Sequence, residues 1–132
     1  MGILASSDNH FMDTGDISYP GGLAAVWADA NEPSPLWEAL NNRAVFGTTG
    51  ARMLLELTVA GLPVGQQGKN AGPPEIKGQV LGTGPLKRVE ILRHDRNGYG
   101  YALQQDTSEE KLEFSFTDSA FAGPGFFYLR VE

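Results

Sequence analysis

Residues 86–103 read Leu-Lys-Arg-Val-Glu-Ile-Leu-Arg-His-Asp-Arg-Asn-Gly-Tyr-Gly-Tyr-Ala-Leu, and this stretch decides the fold. Apolar and polar residues alternate along its first half, so Val89 and Ile91 share one face of a β-strand. Asn97-Gly98 follows, and this dipeptide is the strongest short signal of a hairpin turn. The alternation resumes over residues 99–103. The stretch therefore predicts two antiparallel strands joined by a tight turn.

The same pattern continues on both sides of this hairpin. Further alternating runs lie at residues 53–60, 76–82, 112–117 and 126–131. The chain has 17 Gly and 8 Pro in 132 residues, and these residues mark the turns between the runs. Short alternating strands separated by turns predict an antiparallel β-sandwich. We expect an immunoglobulin-like arrangement that lacks the usual disulfide, because the chain has no cysteine.

The chain before residue 51 has a different character. Its predicted order is a buried strand at 1–5, a long polar loop at 6–22, a strand at 23–28 and a helix at 35–43. Ser34 suits the helix N-cap and Pro35 the first helical position. This small α/β segment (strand-loop-strand-helix) is too short to bury a core of its own. We therefore predict two domains, 1–50 and 51–132.

Composition excludes several classes of function. The chain has 10 Lys and Arg against 16 Asp and Glu, a net charge of −6, which argues against a nucleic-acid partner. The absence of cysteine rules out thiolate metal sites and thiol nucleophiles. The sequence shows no signal peptide and no apolar run of the roughly 20 residues that a membrane helix needs. We expect no membrane segment, and the localisation stays open between cytoplasm and periplasm.

The main candidate site follows the first apolar run. Ile3-Leu4-Ala5 gives way to Asp8-Asn9-His10, and side chains two residues apart on an extended chain point the same way. One carboxylate and one imidazole can together hold a divalent metal ion. Asp8 and His10 are therefore candidate metal ligands. The alternative is a polar loop in which the aspartate caps backbone N–H groups.

Several stretches carry a family resemblance, and they occur in the same order as in that family. They are Ser6-Ser7-Asp8-Asn9-His10, Pro20-Gly21-Gly22-Leu23, Val26-Trp27-Ala28, Leu36-Trp37-Glu38-Ala39-Leu40 and residues 43–52. Together they resemble the C-terminal part of an uncharacterised branch of the PHP-type (polymerase and histidinol phosphatase) metal-dependent phosphoesterases. Members of that branch end in a small β-domain, to which residues 51–132 are similar.

The resemblance implies an α/β barrel whose metals are held by His, Asp and Glu at strand ends. The last motif of such barrels is Asp-x-His, which matches Asp8 and His10. The earlier His-x-His and Glu/His motifs of the family have no match here. The chain then resembles a C-terminal fragment of a metal-dependent hydrolase, with residues 1–50 as a barrel remnant and residues 51–132 as an accessory sandwich.

The resemblance also sets the expected cofactor and partners. The complete protein is expected to bind a divalent metal, zinc or manganese, while the isolated chain lacks most ligands and is expected to be inactive. Its expected partners are the missing N-terminal part of the barrel and a second copy, through exposed apolar residues at 3–4 and 23–27. The alternative function is a non-catalytic β-sandwich module for binding or interaction.

Three weaker candidates have structural alternatives. Asp13 and Asp16 suit either outer-sphere support of a metal ligand or a solvated loop. Arg52 after Thr48-Thr49-Gly50 suits either an anion site or a tight turn, and the turn is favoured. Aromatic residues of the sandwich suit either a sugar-stacking surface or core and cross-strand pairs, and the pairs are favoured. These residues are Tyr99, Tyr101, Phe114, Phe116, Phe126, Phe127 and Tyr128.

Overall fold

The structure is a computed structural model that describes residues 2–10 and 21–132. The helix and strands are, in chain order, β1 Leu23–Val26, α1 Pro33–Asn41, β2 Val45–Thr48, β3 Leu54–Val59, β4 Leu62–Pro63, β5 Glu75–Leu81, β6 Arg88–Asp95, β7 Gly98–Asp106, β8 Lys111–Thr117 and β9 Phe126–Val131. Strand makes up 44% of the described residues, which form antiparallel sheets and no barrel. None of their helices has the length and apolarity required to cross a membrane.

The chain divides into two units. Unit 1 contains the residues up to Met53 together with Val64–Gln66, and unit 2 contains Leu54–Pro63 and Gln67–Glu132. The return of Val64–Gln66 to unit 1 has a local cause, because Arg43 Nε donates a 2.8 Å hydrogen bond to the carbonyl oxygen of Gly65. The sequence suggested a single division at residue 50 and gave no sign of this returning loop. That residues 1–50 derive from a barrel stays a prediction.

In unit 1, β1 pairs with β2, and α1 connects them. The strand predicted at residues 1–5 is wrong for residues 2–5, which join no sheet. Ala5 instead lies across the β1–β2 pair, where a Cβ on Gly22 or Gly47 would approach its Cβ to 2.7 or 2.9 Å. A backbone hydrogen bond of 3.1 Å from Gly22 N–H to Ser6 O ties the segment down. Residues 2–5 cross the β1–β2 pair with this backbone hydrogen bond beside them rather than a regular series of strand hydrogen bonds, so they do not form a strand.

Helix α1 begins two residues earlier than predicted. Its N-cap is Glu32, and Pro33 occupies the first helical position. Backbone N–H groups in the first turn of a helix have no helical partner, so a proline, which has no N–H, costs nothing there. Pro33 and Pro35 therefore both fit the first turn, and the earlier proline sets the start rather than Ser34.

Unit 2 confirms the predicted antiparallel β-sandwich. Its sheets have the strand orders β4-β3-β5-β8 and β7-β6-β9. The chain changes sheet after β5, β7 and β8, the alternation typical of immunoglobulin-like sandwiches. The hairpin between β6 and β7 also follows the prediction, since Asp95 pairs with Gly98, which has a φ of +92°.

The core of unit 2 lies between residues that alternate along their strands. Val89 and Ile91 of β6 are fully buried, as their positions in the alternating pattern predict. Ile76 and Val80 of β5 are buried to the same degree. Burial of a large aliphatic side chain contributes about 1.5–3 kcal/mol, so these residues dominate the stability of the sandwich.

Candidate metal centre

The structure brings Asp8 and His10 together. His10 Nε2 lies 3.2 Å from Asp8 Oδ1, and both side chains are exposed, at 72% and 89%. The cause differs from the predicted extended chain, because Asp8 has a left-handed backbone with a φ of +54°. Aspartate tolerates this conformation better than most residues. The hydroxyl of Ser6 accepts the Asp8 N–H at 3.4 Å and helps to hold the turn.

The pair supplies only part of a metal site. Functional zinc sites use at least three protein ligands. Among residues 2–10 and 21–132, no group of three His, Asp, Glu or Cys side chains could hold a metal ion. The described residues therefore do not fit a complete metal centre, and no catalytic step follows from them alone. Asp13 and Asp16 lie outside the described residues.

The surroundings of this pair have little core. In unit 1 the buried apolar residues of the described chain are Ala39 and Val45. Trp37 is 67% exposed, and Ile3 and Leu4 are half exposed. The remaining exposed large apolar residues of this unit are Leu23, Trp27 and Leu40. The predicted shortage of core in this part of the chain is thus visible in the described residues.

The stretch at residues 48–52 adopts a turn. The Gly50 N–H donates to Thr48 Oγ1 at 3.2 Å, and Gly50 has a φ of +120°. Such a hydroxyl-to-backbone bond is typical of a tight turn. Arg52 is exposed beyond it. This geometry agrees with the favoured interpretation as a turn.

Unit 2 contains a buried carboxylate that the sequence did not single out. Glu90 is 1% exposed and accepts hydrogen bonds from Gln104 Nε2 at 2.8 Å and Arg130 Nε at 2.6 Å. Burial is the largest single influence and opposes ionisation, but these hydrogen bonds and the nearby charges of Arg130 and Arg88 together outweigh it and lower the pKa of Glu90. The sequence indicates that Glu90 faces outward but does not show that β6 is the central strand of its sheet. Gln104 of β7 and Arg130 of β9 lie on either side of Glu90 and cover it.

A second polar cluster ties the β6–β7 turn to the loop before β9. Asp95 accepts the N–H groups of Ala122 at 2.9 Å and Asn97 at 2.8 Å, and these bonds lower its pKa. Arg93 Nη1 donates to both carboxylate oxygens of Asp118, at 2.7 and 2.8 Å. Both acidic residues, Asp95 and Asp118, are buried. The sequence signal for this contact is the position of Asp95 two residues before Asn97, because an aspartate side chain often accepts the backbone N–H two residues further along a turn.

The aromatic residues of the sandwich separate onto two faces. Phe114 and Leu112 pack against the core around Val80. His94, Tyr99 and Phe126 form a cluster with ring centroids 4.4 to 6.3 Å apart, in which Tyr99 is 73% exposed. Cross-strand pairing explains this cluster, because His94 stands opposite both Tyr99 and Phe126. The expected cross-strand pairs are therefore present.

Fold and site together define a β-sandwich preceded by a small α/β unit that carries an exposed carboxylate–imidazole pair. Residues 3–70 match the family described as "Protein of unknown function (DUF3604)". This match covers half of the chain, and the chain belongs to that family. No solved structure matches the chain significantly.

Chlamydial proteins are similar to nearly the whole chain. An uncharacterised protein of Chlamydia pneumoniae is 32% identical over 92% of the chain, and one of Chlamydia trachomatis is 28% identical over 93%. A protein of Chlamydia muridarum is also 28% identical. The chain spans only 22% of the length of each of these relatives. Most of each relative therefore lies outside the region that the chain matches.

Proposed function

We propose that this chain corresponds to the C-terminal part of a metal-dependent hydrolase of the PHP-type phosphoesterase class. The observation that carries the proposal is the 3.2 Å approach of His10 Nε2 to Asp8 Oδ1 on an exposed surface. Two metal-binding side chains that meet at the surface, with no third one beside them among the described residues, suit one edge of a shared centre.

Two features of the surroundings support this proposal. The small core and exposed apolar side chains of unit 1 suit a segment that packs against further protein. The relatives are long enough to supply such protein, since the chain matches only 22% of their length. Both the missing ligands and the missing cover would then come from the same remaining part.

The roles of the two residues follow from their chemistry. The Asp8 carboxylate and one nitrogen of the His10 imidazole would be direct ligands of zinc or manganese. A metal ion bound there lowers the pKa of a coordinated water to near neutrality. The left-handed backbone at Asp8 would orient its carboxylate beside the imidazole. The sandwich would serve as an accessory module of the hydrolase.

The second candidate is a non-catalytic interaction module. Its support is the core of unit 2, in which Ile76, Val80, Val89 and Ile91 are fully buried. A sandwich with a core of this kind can serve as a binding domain without any metal. In that case the Asp8–His10 pair would be an ordinary solvated ion pair.

Paramagnetic Mn²⁺ distinguishes the two candidates on the chain itself. Two ligands bind Mn²⁺ weakly, so we expect amide NMR signals of residues 7–10 to broaden first in a titration. Asp8→Asn and His10→Ala should abolish this selectivity, whereas Glu38→Gln, which removes an exposed carboxylate of unit 1, should preserve it. Broadening that is equal at all exposed carboxylates would contradict the first candidate.

A further inference from the structure

Strand β9 forms an edge of the β7-β6-β9 sheet, and its outer side faces away from β6. Just beyond the strand, Arg88 and Glu132 exchange both backbone hydrogen bonds, at 3.1 and 2.9 Å. In an antiparallel ladder, such pairs alternate with pairs whose N–H and C=O groups point away from each other. The backbone groups of Phe127, Leu129 and Val131 therefore point outward from the sheet.

These outward groups have no partner within the described residues. Their only strand neighbour is β6, and no other backbone hydrogen bond of the described chain involves Phe127, Leu129 or Val131. A row of this kind is a template for pairing with another strand. The partner that its chemistry requires is an extended backbone.

The edge also lacks the usual protection against pairing. Natural edges carry charges, prolines or bulges that block a second strand. β8, the edge of the other sheet, carries Lys111 and Glu113, whereas Arg130 is the single charged residue of β9. Arg130 is hydrogen-bonded to Glu90 of the neighbouring strand, which draws its side chain towards β6 and away from the open edge. β9 is therefore the more apolar and less protected of these two edges.

We propose that β9 pairs antiparallel with β9 of a second copy of this chain, about a two-fold axis through Leu129. In this register Leu129 lies opposite the partner's Leu129, and Phe127 lies opposite the partner's Val131. Every outward N–H and C=O group of β9 then has a hydrogen-bonding partner. Shifting the axis to Tyr128 leaves Val131 opposite Gly125, which lies outside the strand. The hydrogen-bonding pattern therefore selects the Leu129 register.

The side chains on the outer face suit the same register. It places Tyr128 opposite the partner's Arg130, twice by symmetry, and a guanidinium packs favourably on a tyrosine ring. No like charges stand opposite each other within β9. This complementarity favours a second copy over an unrelated strand as the occupant of the edge.

Opposite charges at residue 128 test the register. Tyr128→Lys places two cations beside two arginines and should raise the dimer dissociation constant about tenfold or more. Tyr128→Glu places anions there and should leave it unchanged or lower it. Sedimentation equilibrium over a concentration series measures both variants. Thr117→Lys, an exposed change at the end of the other edge strand, is the control and should have no effect.

Hydrogen exchange at single amides tests the pairing directly. Protection of the Phe127, Leu129 and Val131 amides should rise with protein concentration. The amides of Tyr128 and Arg130, which face β6, should be equally protected at all concentrations.

Three results would overturn the proposal. The first is a monomer at all concentrations. The second is equal weakening by Lys and Glu at residue 128, which contradicts the Leu129 register. The third is self-association that leaves the outward amides unprotected, since it would place the contact elsewhere, for example on the apolar residues of unit 1.

Discussion

The carboxylate of Glu90 is held by the guanidinium of Arg130, whose Nε donates a 2.6 Å hydrogen bond across the β6–β9 pair. Glu90 is almost completely buried, although its position in the alternating pattern points outward. The Arg130 side chain is 48% exposed, so the dependence is one-sided. Loss of Arg130 leaves the buried carboxylate without its cation, which is costly, whereas loss of the Glu90 charge leaves a guanidinium that water still reaches. This contact therefore holds β9 against β6, and the buried carboxylate of Glu90 depends on Arg130 for its compensation.

We expect Glu90→Gln to destabilise the sandwich. The amide retains the shape but loses the charge-assisted bond to Arg130. Glu113→Gln is the matched control, because its side chain is 62% exposed and pairs with Lys111 at the surface. The urea midpoint should fall at least twice as much for Glu90→Gln as for the control. An equal fall in the urea midpoint of the two variants would show that the contact between Glu90 and Arg130 adds nothing to the free energy of unfolding.

Stability should also decrease in acid. The folded-state pKa values of Glu90 and Asp95 lie below their ordinary values of 4.5 and 3.8. Because the unfolded chain then binds protons more readily, this stabilisation is fully present above the ordinary pKa and is lost as pH falls through the folded one. Measured by urea unfolding, the free energy of unfolding should fall less for Glu90→Gln than for the wild type as the pH drops below about 4.5. The same pH dependence of stability in the wild type and in Glu90→Gln would contradict the lowered pKa of Glu90.

Gly65→Ala should destabilise unit 1. Gly65 has a φ of +87°, and a Cβ there would lie 2.5 Å from the Arg43 carbonyl oxygen. Both strain and a backbone clash oppose the substitution, so we expect a loss of about 2–4 kcal/mol in the free energy of unfolding. Gly72→Ala is the control, since nothing lies within 4 Å of its Cβ position. Hydrogen exchange in residues 42–46 reports the local effect, and unchanged protection there would refute it.

Substitutions at Ile91 should follow the volume removed. The residue is fully buried in unit 2. Ile91→Val should cost about 0.5–1.5 kcal/mol and Ile91→Ala about 2–5 kcal/mol, because the second leaves a larger cavity. Chemical denaturation measures both changes, with Leu81→Ala at an exposed position as the control. A similar cost at positions 81 and 91 would contradict the described core.

Local patterns predicted the sandwich well because each strand shows its own buried face. Val89 and Ile91 are inward as expected, and the turn forms at Arg96 and Asn97, with Gly98 pairing with Asp95 directly after it. Residues 2–5 were mispredicted, since a short apolar run does not reveal whether a pairing strand exists beside it. Burial of Glu90 and Asp95 was missed for a related reason, because it depends on neighbouring strands and a distant loop rather than on adjacent sequence.

The candidate site was predictable only in part. The spacing of Asp8 and His10 indicated that they meet, but not that a left-handed residue brings them together. Further ligands cannot be read from a stretch that matches 22% of the length of its relatives. The metal and the hydrolase activity therefore stay predictions that depend on the longer proteins.

Metal analysis of a full-length chlamydial relative tests the central claim most directly. The purified Chlamydia pneumoniae protein, dialysed and analysed by elemental mass spectrometry, should hold zinc or manganese in stoichiometric amount. Replacing the residues aligned with Asp8 and His10 by alanine should remove that metal while the protein stays folded by circular dichroism. Full retention of the metal in this folded double variant, or its absence from the unaltered protein, would contradict the account.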